Sequence, residues 1–311
     1  MDTCKHDEFC GGCIYQGLSY SEQLEIKQKE VLSLLEKKGV KVCFADDIEG
    51  CLNPYRYRNK MEYTFGDLIK GGEMTLGMHK KGNFMSIITV DKCQLVDEDF
   101  NKILSFTLSF AREKGYEIYN KKSHKGLLRN LIVRKGVRTK ELLVNIVTSS
   151  EEGFDEDSFK DGLLNLNLDN NIVGILRTFN DRLADAVVCD SLKVIYGRDY
   201  YMERLLNLHF KVSAFSFFQT NVEAAERLYK EALSLADDFE GKTVFDLYCG
   251  TGTISQILAL KAKAVLGIEL VEEAVEAAKE NARLNSLDNC RFIAGDVFEV
   301  LKTVEDKPDV I

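Results

Sequence analysis

Residues 242–270 read KTVFDLYCGTGTISQILALKAKAVLGIEL, and this stretch decides the fold. Strand KTVFDLY runs into the glycine turn CGTGT, which opens helix ISQILALKA, and AVLGIEL forms a second strand. The alternation continues through helix EEAVEAAKENARLN at 272–285, strand CRFIAGD at 290–296 and helix VFEVLKTV at 297–304. A further helix, EAAERLYKEALSLA at 223–236, comes before it. Strands alternating with helices call for a parallel, doubly wound sheet with right-handed crossovers, an α/β fold.

The turn itself is the first candidate site. Gly250 and Gly252 let the backbone bend tightly and approach a ligand at a helix N-terminus, which favours polar or negative groups. A dinucleotide-binding turn would carry a third glycine at position 255, and Ser255 stands there, which disfavours NAD. Glu269 ends the second strand, where a carboxylate can accept hydrogen bonds from both ribose hydroxyls. Asp296 ends the third, placed to meet an adenine amino group. The three positions together describe an adenosine pocket at the carboxyl edge of the sheet. A G-x-G alone is an ordinary strand-to-helix turn, and the two acidic strand ends favour the pocket.

Upstream, residues 20–38 space Leu24, Ile26, Val31, Leu32, Leu34 and Leu35 helically, with Ser21 able to cap and Gly39 ending the run. From about 54 to 210 the texture changes to short strand-like runs, among them MEYTF, LLRNLIVRKG, ELLVNIV and NIVGILRTF, with a helix around 98–115. Two domains are expected in 311 residues, an α+β domain over 1–210 and the α/β domain over 211–311.

Cys4, Cys10 and Cys13 form C-x5-C-x2-C beside Gly11-Gly12, and Cys93 follows in VDKCQLVDE. Three thiols this close can wrap one metal centre, with the fourth ligand supplied by the fold. Four thiolates suit either zinc or an iron–sulfur cluster. A zinc knuckle usually pairs two such motifs, and no second C-x2-C or H-x3-5-H exists here. Cys43, Cys51, Cys189, Cys249 and Cys290 lack such spacing and are expected as buried small side chains. The opening MDTCKHDEFC shows no basic region followed by an apolar stretch, and no run approaches the ~18 apolar residues of a membrane span. A cytoplasmic protein without membrane contact is expected, in a reducing compartment that favours ligand roles for cysteine over disulfides.

The net charge of -9 is unevenly placed. Residues 211–311 hold 11 basic and 18 acidic side chains, leaving 30 and 32 for the rest. Within that nearly neutral part, 121–140 (KKSHKGLLRNLIVRKGVRTK) has eight Lys or Arg and no acid. Tyr55-Arg56-Tyr57-Arg58-Asn59-Lys60 interleaves aromatics with cations, as single-stranded RNA surfaces do. Each is also compatible with a solvated basic face; net acidity does not exclude a polyanionic partner, because phosphate binding depends on the local patch.

Taken together, Phe217-Phe218-Gln219-Thr220-Asn221, DLYCGTGT, GIEL, NARLNSLDN and the GD after the third strand resemble the RNA uracil-5 methyltransferases. The cysteine pattern, YRNKMEYTFG and GLLRNLIVR are similar to the iron–sulfur branch, the 23S rRNA (uracil-5-)-methyltransferases, from Cys4 to the last residue. The resemblance implies a class I methyltransferase (Rossmann-like) fold behind an α+β RNA-binding domain, and a 4Fe-4S cluster on Cys4, Cys10, Cys13 and Cys93. It implies S-adenosylmethionine held by Gln219, Tyr248, the Gly250 to Gly252 turn, Glu269 and Asp296. The implied chemistry begins with a cysteine thiolate adding at C6 of an unstacked uridine, so that C5 can take the methyl group; a base then removes the C5 proton.

In that family the nucleophilic cysteine and the base follow the fourth strand, which opens here at DKPDVI. The sheet is therefore expected to be incomplete, the chain as written to lack catalytic residues, and Cys249 to be no substitute. A monomer acting on 23S rRNA is the leading expectation; a tRNA uracil-5 methyltransferase and a non-catalytic iron–sulfur RNA-binding protein are the alternatives.

Overall fold

The computed structural model describes residues 3–120, 123–182, 189–236 and 238–311. Helix α1 spans Tyr20–Lys37, and strands β1 (Lys60–Asp67), β2 (Met74–Lys80) and β3 (Asn83–Thr89) precede helix α2 (Glu98–Glu113). Then come β4 (Leu128–Gly136), β5 (Glu141–Thr148), α3 (Glu156–Leu164), β6 (Asn171–Phe179) and β7 (Ser191–Gly197). The remainder is β8 (Tyr200–Leu205), β9 (Leu208–Ser213), α4 (Val222–Leu235), β10 (Thr243–Leu247), α5 (Thr253–Ala259), β11 (Ala264–Glu269), α6 (Glu272–Leu284), β12 (Cys290–Ala294) and α7 (Val297–Leu301). Strands β1 to β7 form one sheet in the order β3-β2-β1-β4-β5-β6-β7. No helix among the described residues is long and apolar enough to cross a membrane.

The chain divides into two compact units that interleave along the sequence, where a single cut at residue 210 is expected. The first comprises residues 1–132, 146–167 and 178–191, the second 133–145, 168–177 and 192–311. The division falls within strands β4, β5, β6 and β7 rather than in a linker, and composition does not change there.

In the first unit, β1 alternates buried Met61, Tyr63 and Phe65 with outward Glu62 and Thr64, the period-2 pattern of a half-buried strand. Strands β4 and β5, central in the sheet, are buried on both faces along most of their length. Helix α2 buries Phe100, Ile103, Leu104 and Phe110, and Phe110, Phe154 and Phe159 meet edge-on or tilted at centroid distances of 5.3–6.1 Å. Helix α1 forms as expected, but Ser19 is its cap rather than Ser21. Ser19 Oγ accepts the Glu22 N–H at 3.3 Å while Glu22 Oε2 accepts the Ser19 N–H at 2.8 Å, a reciprocal capping box. Ser21 lies already inside the first turn.

In the second unit, β10, β11 and β12 pair in parallel, in that spatial order. On the free side of β10, Val310 bridges Val244 in parallel, and the Phe245 N–H donates to the Val310 carbonyl at 2.9 Å. The fourth strand position thus lies beside the first, the order 3-2-1-4 of a doubly wound half-sheet. Apolar side chains fill both faces: Val244, Val265, Leu258 and Ala262 on one, Phe245, Leu266, Ile268 and Val297 on the other.

Candidate functional site

Leaving β10, the backbone takes left-handed conformations at Tyr248 (φ 64°), Gly250 (φ 55°) and Gly252 (φ 73°), and Gly252 is the N-cap of α5. Glu269, the last residue of β11, braces this turn: its Oε2 accepts the Gly250 N–H and its Oε1 the Val271 N–H, each at 3.0 Å. A carboxylate oxygen carries two lone-pair sites, so both oxygens keep capacity for a ligand hydroxyl. Asp296, just past β12, caps α7 through Oδ1, which accepts the Phe298 and Glu299 N–H groups at 2.9 and 3.2 Å. The Gly295 N–H donates to the Glu269 carbonyl at 2.9 Å and ties the two strand ends together. The glycine turn, Glu269 and Asp296 therefore meet at the carboxyl edge of three adjacent parallel strands.

Gln219, ahead of α4, hydrogen-bonds the Tyr229 hydroxyl, and Tyr229 also feels the charge of Asp246 near the end of β10. Tyr248 is 65% exposed, an aromatic face presented to solvent at the turn. The sequence reading noted Ser255 only as the residue in place of a third glycine and gave Asp246 no role; the structure pairs them. The Ser255 hydroxyl donates to Asp246 Oδ2 at 2.6 Å, and burial raises the Asp246 carboxyl above the usual range. The signal was the aspartate placed directly before the turn, with a hydroxyl where a third glycine would stand.

The surroundings of Cys249 disfavour a thiolate near neutral pH. Burial first, then the Asp246 and Glu269 carboxylates, push its thiol up to about 12. Cys290 is raised to about 12 by burial and then by Asp246. Of the five cysteines expected as buried, Cys43 and Cys189 are instead exposed, and Cys51, Cys249 and Cys290 are half-buried. Small size permits burial of a cysteine but does not compel it.

In the first unit, Cys4, Cys10, Cys13 and Cys93 line one cavity of ≈ 190 Å³, together with Arg58 and Met78. Backbone pairing closes the sequence gap. The Gly11 N–H donates to the His79 carbonyl at 3.0 Å and the Lys81 N–H to the Phe9 carbonyl at 2.8 Å, which docks the N-terminal segment against the end of β2. Cys93 is fixed by its N–H to Asn101 Oδ1 on α2 at 3.0 Å. Burial raises the thiols of Cys10, Cys13 and Cys93, and Cys13 reaches about 11 through burial and then the charges of Cys93, Cys10 and Cys4. Donors already face the sulfurs: the Gly12 N–H to Cys10 at 3.4 Å, and the Leu95 and Val96 N–H groups to Cys93. The Tyr63 hydroxyl lies buried near Cys93 with no hydrogen-bond partner among the described residues. Among those residues, no three His, Cys, Asp or Glu side chains converge as a single-ion site.

The basic segments are only partly surface. Arg129 and Arg134 are 6% and 3% exposed; Arg129 stacks on Tyr119 at 4.2 Å and donates to the Asn180 and Arg182 carbonyls. Lys121 and Lys122 lie outside the described residues. In the aromatic–cation cluster, Asn59 is buried and Arg58 lines the cysteine cavity. Arg129 and Arg134 lie on β4, which is buried on both faces, and that burial is invisible to a charge count.

A family model described as "Methyltransferase domain" matches residues 238–311. An RNA methyltransferase of Clostridium tetani is 53% identical over 97% of this chain and 66% of its own length. One of Caldanaerobacter subterraneus subsp. tengcongensis is 52% identical over 99% of this chain and 68% of its own. The chain thus spans about two thirds of the length of the curated relatives it matches. The crystal structure of Pyrococcus abyssi tRNA (uracil-54, C5)-methyltransferase with S-adenosyl-L-homocysteine superposes with TM-score 0.73 at 24% identity, over 92% of this chain and 66% of that one, a shared fold.

Proposed function

This chain belongs to the RNA methyltransferases, and from that premise we propose that it binds S-adenosylmethionine and serves methylation of uridine C5 in 23S rRNA. The observation that carries the cofactor reading is the meeting of the glycine turn, Glu269 and Asp296 at three neighbouring strand ends. S-adenosylmethionine supplies an electrophilic methyl on a sulfonium. Here Glu269 takes the ribose hydroxyls, Asp296 offers its carboxylate to the adenine amino group, the Gly250 to Gly252 turn admits the ligand against bare backbone, and Gln219 and Tyr248 flank it. No cysteine of the turn is assigned as nucleophile, because the Cys249 thiol stays protonated.

Calorimetry with S-adenosyl-L-homocysteine tests the site. Glu269→Gln, which keeps one acceptor oxygen, weakens binding about tenfold, and Glu269→Ala weakens it further, each lost hydrogen bond to a charged acceptor being worth roughly 1.5–3 kcal/mol. Unchanged affinity in both variants would reject the assignment. Competition between 23S rRNA and tRNA transcripts for binding to the chain, a readout that needs no methyl transfer, decides the substrate; preference for tRNA would replace the ribosomal reading.

The ribosomal reading rests on the four cysteines. Residues 1–210 would hold a 4Fe-4S cluster and RNA, with residues 211–311 for the cofactor. The donor set fits: four thiols line one cavity, backbone N–H groups face two of the sulfurs, and a buried hydroxyl beside Cys93 lacks a partner that a cluster sulfur would give. Anaerobically isolated protein then carries about four irons per chain with broad absorbance near 400 nm, and Cys93→Ser loses both. Stoichiometric zinc without that absorbance would refute the cluster.

A further inference from the structure

The second unit holds another cavity, of ≈ 240 Å³, lined by Arg138, Arg204, Leu206, Asn207, Glu226 and Lys230. Its walls come from three places: the turn after β4, the β8–β9 turn, and α4. Each is held rigidly. Glu203, fully buried on β8, accepts the N–H groups of Val137, Arg138 and Arg204 at 2.6, 3.0 and 2.9 Å. Glu226 accepts the Leu206 N–H at 3.1 Å through one oxygen and the Arg138 guanidinium at 2.9 Å through the other. Two carboxylates therefore fix the backbone from which Arg138 and Arg204 project, and Lys230 stands one turn of α4 beyond Glu226.

The charge does not balance. Three cations share the cavity with one carboxylate, and Glu226 is spent on Arg138. Among the described residues the Arg204 guanidinium and the Lys230 ammonium have no hydrogen-bond or ion-pair partner. Both side chains are exposed, so the arrangement suits an anion arriving from solvent. The lining holds no aromatic ring, and Leu206 is its one apolar residue among the described residues, so charge rather than a hydrophobic platform dominates the cavity. We propose that this cavity binds phosphodiester groups of the RNA substrate, with Arg204 and Lys230 as the phosphate contacts and Arg138 reinforcing them. The proposal rests on the RNA-methyltransferase reading and adds a backbone contact on the unit that carries the cofactor edge; of its cations Arg138 belongs to the basic segment 121–140, whereas Arg204 and Lys230 lie outside it.

The test is fluorescence anisotropy of a labelled single-stranded oligoribonucleotide across a KCl series, with wild type, Arg204→Ala/Lys230→Ala and Arg204→Lys. Each lost phosphate contact lowers the slope of log K against log salt by about 0.7 for a single strand. The double variant is expected to lose about 1.4 from that slope and to bind on the order of tenfold more weakly at 0.1 M KCl. Arg204→Lys keeps the slope. Affinity for S-adenosyl-L-homocysteine and the thermal unfolding curve stay at wild-type values, which separates this effect from misfolding. An unchanged slope in the double variant overturns the phosphate site alone, whereas a wild type that binds no RNA overturns the substrate reading beneath it. Phosphorus NMR with inorganic phosphate provides the last arm: broadening by wild type but not by the double variant, with the RNA slope unchanged, would reassign the cavity to a free anion and sink the RNA proposal.

Discussion

Gly250 and Gly252 stand two residues apart in one turn and are required for different reasons. A Cβ on Gly252 would lie 2.8 Å from the Phe292 ring and 2.9 Å from the Ala278 methyl group, at a φ of 73° that side chains resist. A Cβ on Gly250 meets nothing within 4 Å, so only its φ of 55° opposes substitution. Gly252→Ala should therefore cost about 2–4 kcal/mol, combining backbone strain with overpacking, and Gly250→Ala about 1 kcal/mol. Equilibrium denaturation in urea measures both, and equal costs would refute the packing argument. Under the proposed cofactor site, affinity should show the reverse ranking of direct effect, because a Cβ on Gly250 would enter open space at the turn rather than packed side chains. Both glycines were legible as a turn from G-x-G alone. That Phe292 closes over one and not the other was not, since residue 292 arrives from the third strand.

At the scale of elements, the parallel strands and their helices follow local pattern: strand runs of about five residues, a glycine or acidic residue at each carboxyl end, then helical spacing. The β8–β9 hairpin depends instead on one long-range group. Glu203 sits at zero exposure and its carboxyl is raised by burial, against which three backbone N–H bonds pull it down. Glu203→Ala leaves three donors without their acceptor and should destabilise the second unit by about 2–4 kcal/mol, each unsatisfied buried group costing roughly 1–3 kcal/mol with water recovering part. Glu203→Gln retains one carbonyl oxygen and should fall between. Hydrogen exchange at Val137, Arg138 and Arg204 reads the same loss locally; protected amides in Glu203→Ala would disprove the anchoring role. The same carboxylate holds Arg138 and Arg204 in place, so the element carries the proposed phosphate cavity as well as its own stability. Nothing in YYMERLL marks Glu203 as interior, because a glutamate in a strand reads as solvent-facing until its partners across the sheet are known.

Across the whole molecule, thiol burial sets a pH dependence. Cys249 and Cys290 rise from an ordinary 9.0 to about 12 in the folded state. Between those values the folded chain holds more protons than the unfolded one, so the stability this contributes is fully present below pH 9 and drains away as pH rises toward 12. The urea midpoint of the second unit should fall between pH 8.5 and 10.5, and Cys249→Ala/Cys290→Ala should flatten that fall; a midpoint independent of pH in wild type would refute it. The sequence by itself determined the doubly wound parallel sheet, the glycine turn and the acidic strand ends, because strand and helix periods and turn chemistry are local properties. It also determined that Cys4, Cys10 and Cys13 lie near one another, ten residues of chain being too short to part them. Only the tertiary structure decided that Cys93 joins them, that Arg129 and Arg134 are interior rather than part of a basic surface, and that Arg138, Arg204 and Lys230 share a cavity. Those facts depend on which strands pair and which face each side chain takes, because only the tertiary fold brings residues distant in sequence to one place and decides which of them keep their water.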